Sequence, residues 1–103
     1  MTTDRITQAL ELWRKFPDND LSRFNLAQAY VAAGDFPNAI EHLRALCDKK
    51  PEWMVVHIQL GKAFIALGRS MEAKPILEHA LKLASAQHHD TPHGELEELL
   101  KTL

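Results

Sequence analysis

Hydrophobic residues recur every three or four positions along almost the whole chain, which is the spacing of an α-helix with one apolar face. The first such stretch places Ile6, Ala9, Leu10 and Trp13 on one side of a helix. Runs of β-branched residues, which favour strands, are nearly absent. We therefore predict an all-α fold of six helices, over residues of about 3–16, 20–33, 37–50, 52–67, 70–86 and 92–102.

Proline and glycine mark the ends of these helices. Pro17 and Pro51 each follow a helical segment, and Gly34 and Gly68 stand where a helix commonly ends in a left-handed residue. The connections are short, so successive helices are expected to be antiparallel.

Pro75 conflicts with the fifth predicted helix. It lies five residues after Ser70, the expected N-cap, and a proline there removes one backbone hydrogen bond and crowds the preceding turn. The sequence therefore predicts either a later start for this helix or a distorted first turn.

The sequence repeats itself with a period of 34 residues. Eight positions recur 34 residues later as the same residue or as one of similar size or aromaticity. The pairs are Leu26/Leu60, Ala27/Gly61, Ala29/Ala63, Tyr30/Phe64, Ala32/Ala66, Gly34/Gly68, Ala39/Ala73 and Leu43/Leu77. A helix–turn–helix unit of this length indicates a repeat architecture in which each unit buries its apolar face against the next.

The segments NLAQAY…GDFPNAIEHL…P and QLGKAF…GRSMEAKPIL…A resemble tetratricopeptide repeats. The family pattern is Leu-Gly/Ala, an aromatic residue three positions later, a turn glycine, an alanine early in the second helix and a closing proline, which Ser85 replaces in the second segment. The resemblance implies one α-solenoid domain of about six antiparallel helices. Its parts are a half repeat (4–17), two full repeats (20–53 and 54–87) and a C-terminal capping helix (91–103), which together span residues 1–103.

The resemblance also accounts for a glycine inside the fourth helix. Gly61 costs its helix about 1 kcal/mol relative to alanine. In a tetratricopeptide repeat the two helices cross closely at this position, so we expect that no larger side chain fits there. Replacing Gly61 by leucine is therefore expected to destabilise the fold through overpacking.

Composition and charge narrow the range of partners. Hydrophobic residues make up 46% and charged residues 25%, as in an ordinary globular domain. A net charge of −2 provides no basic field for a nucleic acid, and no apolar run approaches the roughly 18 residues of a membrane span. Cys47 is the only cysteine, which favours a reducing compartment. We therefore expect a cytoplasmic protein with neither a nucleic-acid nor a membrane partner.

One cluster of histidines raises the question of a metal ion. His88, His89 and His93 lie close to Asp90, but Pro92 breaks any helical face that they share, and the spacing is not that of a zinc site. A polar loop that caps the last helix is the simpler interpretation. A metal-dependent function of this loop remains as an alternative.

For the other potentially reactive side chains, one cysteine and three histidines, we predict structural roles. Cys47 is expected to be a small buried hydrophobe, and His57 to pack between repeats. His42 and His79 are expected to face outward or to lie at a helix boundary. The sequence contains no nucleophile elbow, phosphate loop or metalloprotease motif. We therefore predict neither an enzyme nor a cofactor.

In tetratricopeptide proteins the first helices of successive repeats line a concave groove that receives a peptide or a helix, and the resemblance places ten residues of this chain there. They are Leu21, Phe24, Asn25, Gln28 and Val31, and then Val55, Ile58, Gln59, Lys62 and Ile65. This mostly apolar set suits an amphipathic helix or an apolar extended peptide. The implied function is that of a non-enzymatic protein–protein interaction module that serves as an adaptor.

Self-association is the competing hypothesis. The first helix lacks a partner helix of its own, so Ile6 and Trp13 are expected to be partly exposed, and a homodimer would form through this end or through the groove. The last helix instead resembles a capping helix, because its leucines are opposed by a polar outer face. These leucines are Leu96, Leu99, Leu100 and Leu103. In this alternative the chain is a structural subunit rather than an adaptor.

Overall fold

The computed structural model describes residues 2–87 and 90–103, with side chains from Arg5 to Gln87 and from His93 to Leu103. All regular structure in these residues is helical, as predicted. The helices are α1 (Thr2–Lys15), α2 (Asp20–Ala32), α3 (Phe36–Lys49), α4 (Met54–Ala66), α5 (Ser70–Ala86) and α6 (Asp90–Lys101). Each helix packs against the next one along the chain, which gives an antiparallel array.

The helix ends follow from local sequence. Gly34 and Gly68 have φ values of 77° and 73°, a left-handed conformation that glycine adopts without steric cost. Asn19 caps α2, because its side chain accepts a hydrogen bond of 3.1 Å from the backbone N–H of Ser22. Asp35 caps α3 in the same way. These side chains satisfy backbone donors that a helix start leaves unpaired.

The later start predicted as one alternative around Pro75 is wrong. Helix α5 begins at Ser70 and continues through the proline. Ser70 is not the N-cap either, since that position is taken by Arg69. The proline removes the hydrogen bond that the carbonyl of Met71 would accept. One face of α5 is nevertheless completely buried, at Ala73, Leu77, Ala80 and Ala84. Burial of that face offsets the missing bond.

The main hydrophobic core runs between α2, α3, α4 and α5 and extends to Leu96 of α6. Its largest fully buried side chains include Leu43, Leu46, Val56, Phe64 and Leu77. Helix α6 covers the open end of this core with its apolar side and turns charged residues outward, as expected of a capping helix.

Gly61 lies where α4 approaches α5 most closely. A Cβ atom at this position would lie 2.5 Å from Cδ2 and 2.6 Å from Cγ of Leu77, well inside the normal separation of non-bonded carbon atoms. Leu77 is itself completely buried, and both its Cδ2 and its Cγ would have to shift to make room. The close approach predicted from the sequence at Gly61 is confirmed.

Helix α1 packs through a separate and smaller apolar cluster. Its members are Ala9, Leu26 and Ala29, with Ile6, Leu10, Trp13 and Tyr30 partly buried around them. Ile6 and Trp13 are partly exposed, as predicted. The indole Nε1 of Trp13 is buried and has no hydrogen-bond partner within the described part of the chain. The half repeat is therefore less tightly packed than the two full repeats.

The prediction that His42 faces outward or lies at a helix boundary is wrong. Its side chain is buried, with the ring of Trp13 edge-on at 5.0 Å and that of Tyr30 stacked at 5.9 Å between centroids. The Nε–H of Arg23 donates a hydrogen bond of 3.0 Å to Nδ1 of His42. Burial, together with the charge of Arg23, lowers the pKa of His42. The cause is α1, which covers a position of α3 that would otherwise face solvent.

Candidate partner-binding surface

The ten residues predicted to line a groove form five equivalent pairs on α2 and α4, because the members of each pair are 34 residues apart. The pairs are Leu21/Val55, Phe24/Ile58, Asn25/Gln59, Gln28/Lys62 and Val31/Ile65. All ten side chains are exposed or partly exposed, whereas the neighbouring Leu26 and Leu60 are buried. The two helices thus carry the same accessible stripe, called here the α2–α4 stripe.

The α2–α4 stripe has a half-buried apolar part and an exposed part. Four of its apolar residues pack against the main core, namely Phe24, Val31, Ile58 and Ile65. Leu21 is 69% exposed and Val55 is 43% exposed, although both are aliphatic. Asn25 and Lys62 are also exposed. The core therefore fixes the apolar base of the stripe, and exposed side chains stand beside it.

Trp53 extends this surface, and sequence reasoning missed it. It precedes α4, and its ring lies 5.2 Å from that of Phe24 on α2, while the ammonium group of Lys50 lies 5.7 Å from the indole centroid. The Phe24–Trp53 contact links α2 to the start of α4. An aromatic residue at the entrance to a helix was the available signal, but the 34-residue period pairs Trp53 with Asn19 and so gave no warning.

Helix α6 also contributes to this surface. Ile58 and Lys62 of α4, with Glu95, Leu96 and Leu99 of α6, line a cavity of about 30 Å³. This volume holds little more than a water molecule. From the sequence α6 was predicted only as a capping helix, since its residues do not follow the repeat.

The end of the stripe carries little free charge. Asp20, at the start of α2, lies 2.8 Å from the Nζ of Lys49 and 3.4 Å from that of Lys50. The hydrogen bond from Lys49 is the main reason that the pKa of Asp20 is lowered, and Lys50 adds to the effect. Lys62 is the single charged member of the stripe itself. A largely apolar partner therefore fits this surface better than a highly charged one.

Comparison with known proteins agrees with this architecture. One tetratricopeptide repeat family model matches residues 4–52, and a second matches residues 56–87. A TPR repeat-containing protein of Pseudomonas aeruginosa is 33% identical over 86 residues, which cover 84% of this chain and 82% of that protein. The chain belongs to the tetratricopeptide repeat family.

Solved structures extend the likeness to the whole array of helices. A protein of Bordetella parapertussis, known from its solution structure, has a TM-score of 0.80 and 28% identity, covering 94% of this chain and 84% of that one. A tetratricopeptide repeat domain protein of Salinibacter ruber has a TM-score of 0.74 at 20% identity, covering 84% of this chain and 87% of that one. The second match, at this low identity, speaks for the fold alone.

Tetratricopeptide repeats are in general protein–protein interaction modules, and proteins built from them are in general non-enzymatic scaffolds. No helix in residues 2–87 and 90–103 combines the length and apolar character needed to cross a membrane. In a protein of this family, the accessible surfaces are therefore the first candidates for a functional site.

The tetratricopeptide fold buries the single cysteine. Cys47 is 8% exposed, as predicted for a small core residue, and burial, with the nearby charge of Asp48, raises the pKa of its thiol to about 12. A thiol with that pKa is protonated at neutral pH and is a poor nucleophile.

The histidine cluster of the last connection is described only in part. His88 and His89 lie outside the described residues, and Nδ1 of His93 lies 2.8 Å from a carboxylate oxygen of Glu97. In the part of the chain that the structure describes, no three His, Cys, Asp or Glu side chains form a group of metal ligands.

A second accessible apolar surface lies at the N-terminal end of the solenoid. Leu12 is 42% exposed and Phe16, one turn later, is 54% exposed, and Leu21 follows at the start of α2. These three residues, called here the N-terminal apolar patch, lie on α1, in the connection after it and at the start of α2. Leu21 belongs to both surfaces, so the patch is continuous in sequence with the stripe.

Proposed function

We propose that this tetratricopeptide repeat chain is a non-enzymatic interaction module and that its α2–α4 stripe binds an apolar segment of a partner protein, preferably an amphipathic helix. The observation that carries the proposal is that five positions recur in both repeats and are accessible in both. Apolar residues that stay accessible as a contiguous surface commonly mark a binding site.

The chemistry of the stripe defines the preferred partner. Half-buried Phe24 and Ile58 offer a fixed apolar base, and Trp53 enlarges it on the side of the first repeat. Rigid aromatic side chains are effective anchors, because little conformational entropy is lost when they are covered. Asn25 and Gln59 provide amides that can bond to the backbone or polar edge of the ligand. The proposal is thus specific for a segment with one apolar face and a polar edge.

The test uses peptides selected from a phage-displayed library of amphipathic helices. In the double variant Leu21→Asp, Val55→Asp, two exposed aliphatic side chains of the stripe become charged, and the affinity for selected peptides should fall by more than about tenfold. Both positions are accessible, so the melting temperature should change little.

The matched control is the double variant Leu67→Asp, Met71→Asp. Leu67 is 39% exposed and Met71 is 91% exposed, and both lie at the α4–α5 connection, away from the stripe positions. This variant should keep the affinity of the wild type. Equal loss in both double variants, or no loss in either, would show that the stripe is not the binding surface.

Homodimer formation is the second candidate function, and the N-terminal apolar patch favours it. Sedimentation equilibrium of the wild type should then show a dimer, and the variant Leu12→Asp, Phe16→Asp should be a folded monomer. A dimer that persists in this variant but dissociates in Phe24→Asp, Ile58→Asp would place the self-interface on the stripe. A monomeric wild type at high protein concentration would reject the structural-subunit hypothesis.

A further inference from the structure

Helices α3, α4 and α5 line an open surface cavity of about 320 Å³ on a part of the molecule that the α2–α4 stripe does not use. Leu60 and Ile76 line it with apolar surface, and Cys47, Asp48, His57 and His79 line it with groups that can bind ligands. His57 belongs to α4 and His79 to α5, so the two imidazoles come from the two helices of one repeat.

Both imidazoles are oriented by the connection between α3 and α4. Nδ1 of His57 lies 2.8 Å from the carbonyl oxygen of Trp53, and Nε2 of His79 lies 2.8 Å from that of Pro51. A carbonyl oxygen only accepts, so these two nitrogens carry the hydrogens. In the neutral rings, Nε2 of His57 and Nδ1 of His79 therefore keep their lone pairs.

This arrangement is the one that metal-binding histidines adopt. A histidine ligand almost always donates its second ring N–H to a carbonyl or carboxylate, which fixes its tautomer and orientation. Here two such histidines share a cavity, and their ring centroids are 4.7 Å apart. Two imidazoles bound to one Zn²⁺ through bonds of about 2 Å, at a near-tetrahedral angle, have centroids about 5 Å apart. The observed separation is close to this value.

We propose that His57 and His79 together bind a divalent transition-metal ion of the class that prefers imidazole, with Zn²⁺ as its representative. No three potential ligands are grouped in the described residues, so water completes the coordination in the cavity. Asp48 adds a negative charge to the cavity wall, while Arg44, also at the wall, lies 3.8 Å from a carboxylate oxygen of Glu72. The bound ion would link α4 to α5 and strengthen the second repeat.

Calorimetric titration with ZnCl₂ tests this site. The protein used is the variant His88→Gln, His89→Gln, His93→Gln, which removes the histidines of the α5–α6 connection and leaves the cavity intact. We expect one bound Zn²⁺ and a higher melting temperature in its presence, because a ligand of the folded state stabilises it.

The deciding variant adds His79→Gln to this background. His79 is exposed, so the substitution should leave the fold intact, which an unchanged melting temperature without zinc would verify. The dissociation constant for Zn²⁺ should rise at least about tenfold, and the rise in melting temperature with zinc should disappear. Nuclear magnetic resonance should also show that the ring signals of His57 and His79 move on zinc addition to the background variant. The proposal would be overturned if the background variant did not bind Zn²⁺, or if its affinity for Zn²⁺ were unchanged by His79→Gln.

Discussion

The two full repeats share the same order of helices, but different interactions join the start of the first helix to the end of the second helix in each. In the first repeat, Asp20 at the start of α2 pairs with Lys49 and Lys50 at the end of α3. Thirty-four residues later these positions are held by Met54, Leu83 and Ala84; Met54 and Ala84 belong to the main apolar core, and Leu83 packs against it. These helix ends are therefore joined by ion pairs in the first repeat, called here its ionic closure, and by apolar contacts in the second.

The helix starts and the buried interior show the same contrast. Asn19 and Asp35 cap α2 and α3 through their side chains, whereas Trp53 and Arg69, at the equivalent positions, provide no side-chain cap. His42 likewise corresponds to Ile76 in the second repeat. The 34-residue pattern thus determines where helices meet, while local polar or apolar interactions complete each unit. The first repeat should therefore respond to salt at Asp20 and to pH at His42, and the second to side-chain volume at Gly61.

The largest expected effect is at Gly61. In Gly61→Leu the new side chain has to enter space that Leu77 fills, so the free energy of unfolding should fall by about 3 kcal/mol or more. Urea denaturation followed by circular dichroism measures this loss. In Gly61→Ala only the Cβ clashes, and the loss should be smaller but still present.

Gly94 provides the matched control, because it is also a helical glycine and nothing lies within 4 Å of an added Cβ. Gly94→Ala should stabilise the protein by up to about 1 kcal/mol, the difference in helix propensity. Opposite signs at the two glycines would establish that packing, not helix propensity, decides the result at Gly61. Stabilisation by both alanines would contradict the close approach to Leu77.

The second prediction concerns His42 and acid. Its folded-state pKa lies below the ordinary value of 6.5, so below that pH the unfolded chain takes up the proton more readily than the folded chain. Stability should therefore fall as the pH is lowered from 6.5 to the folded-state pKa. The slope from this one proton cannot exceed about 1.4 kcal/mol per pH unit. Protonation would also leave Nδ1 unable to accept from Arg23.

Thermal melts of the wild type and of His42→Gln between pH 7 and pH 5 check this effect. Glutamine offers an oxygen that can still accept from Arg23 but does not titrate, so the variant should lose stability less steeply. Part of the slope should remain, because burial also lowers the pKa of His57. The nearby charge of Glu41 opposes the shift at His42 and is present in both proteins. Identical pH profiles would show that His42 is not the sensitive group.

Much of this fold was predictable because its signals are local or periodic. The glycine and proline stops lie within a few residues of the helix ends they cause, and the 34-residue period pairs Gly61 with Ala27 and Leu77 with Leu43. The burial of His42 was missed, because it depends on a contact with Trp13 of α1, and the period pairs Trp13 with Cys47 without showing which residues touch. Trp53 and α6 were missed as parts of the candidate surface for the same reason. Sequence periodicity describes the interior of a repeat array better than its ends and junctions.

The third prediction sharpens the contrast in capping. Asn19→Ala removes the side-chain acceptor for the backbone N–H of Ser22, and the free energy of unfolding should fall by about 1 kcal/mol. Asp18→Ala is the control, since this exposed residue of the same turn caps no helix. Urea denaturation should separate the two variants. Equal stability of the two would mean that the cap contributes nothing in the folded protein.

The smallest expected effect is at Asp20, and it tests the ionic closure of the first repeat directly. Asp20→Asn keeps the side-chain shape but removes the charge that faces Lys49 and Lys50, so the melting temperature of the variant should depend less on sodium chloride than that of the wild type. Because both lysines are largely exposed, the difference at low salt should be small and should vanish at high salt. Asp18→Asn changes the same charge in the same turn and should follow the wild type. If Asp20→Asn also follows the wild type at every salt concentration, the first repeat is closed by its apolar contacts alone, and the two repeats differ less than their sequences indicate.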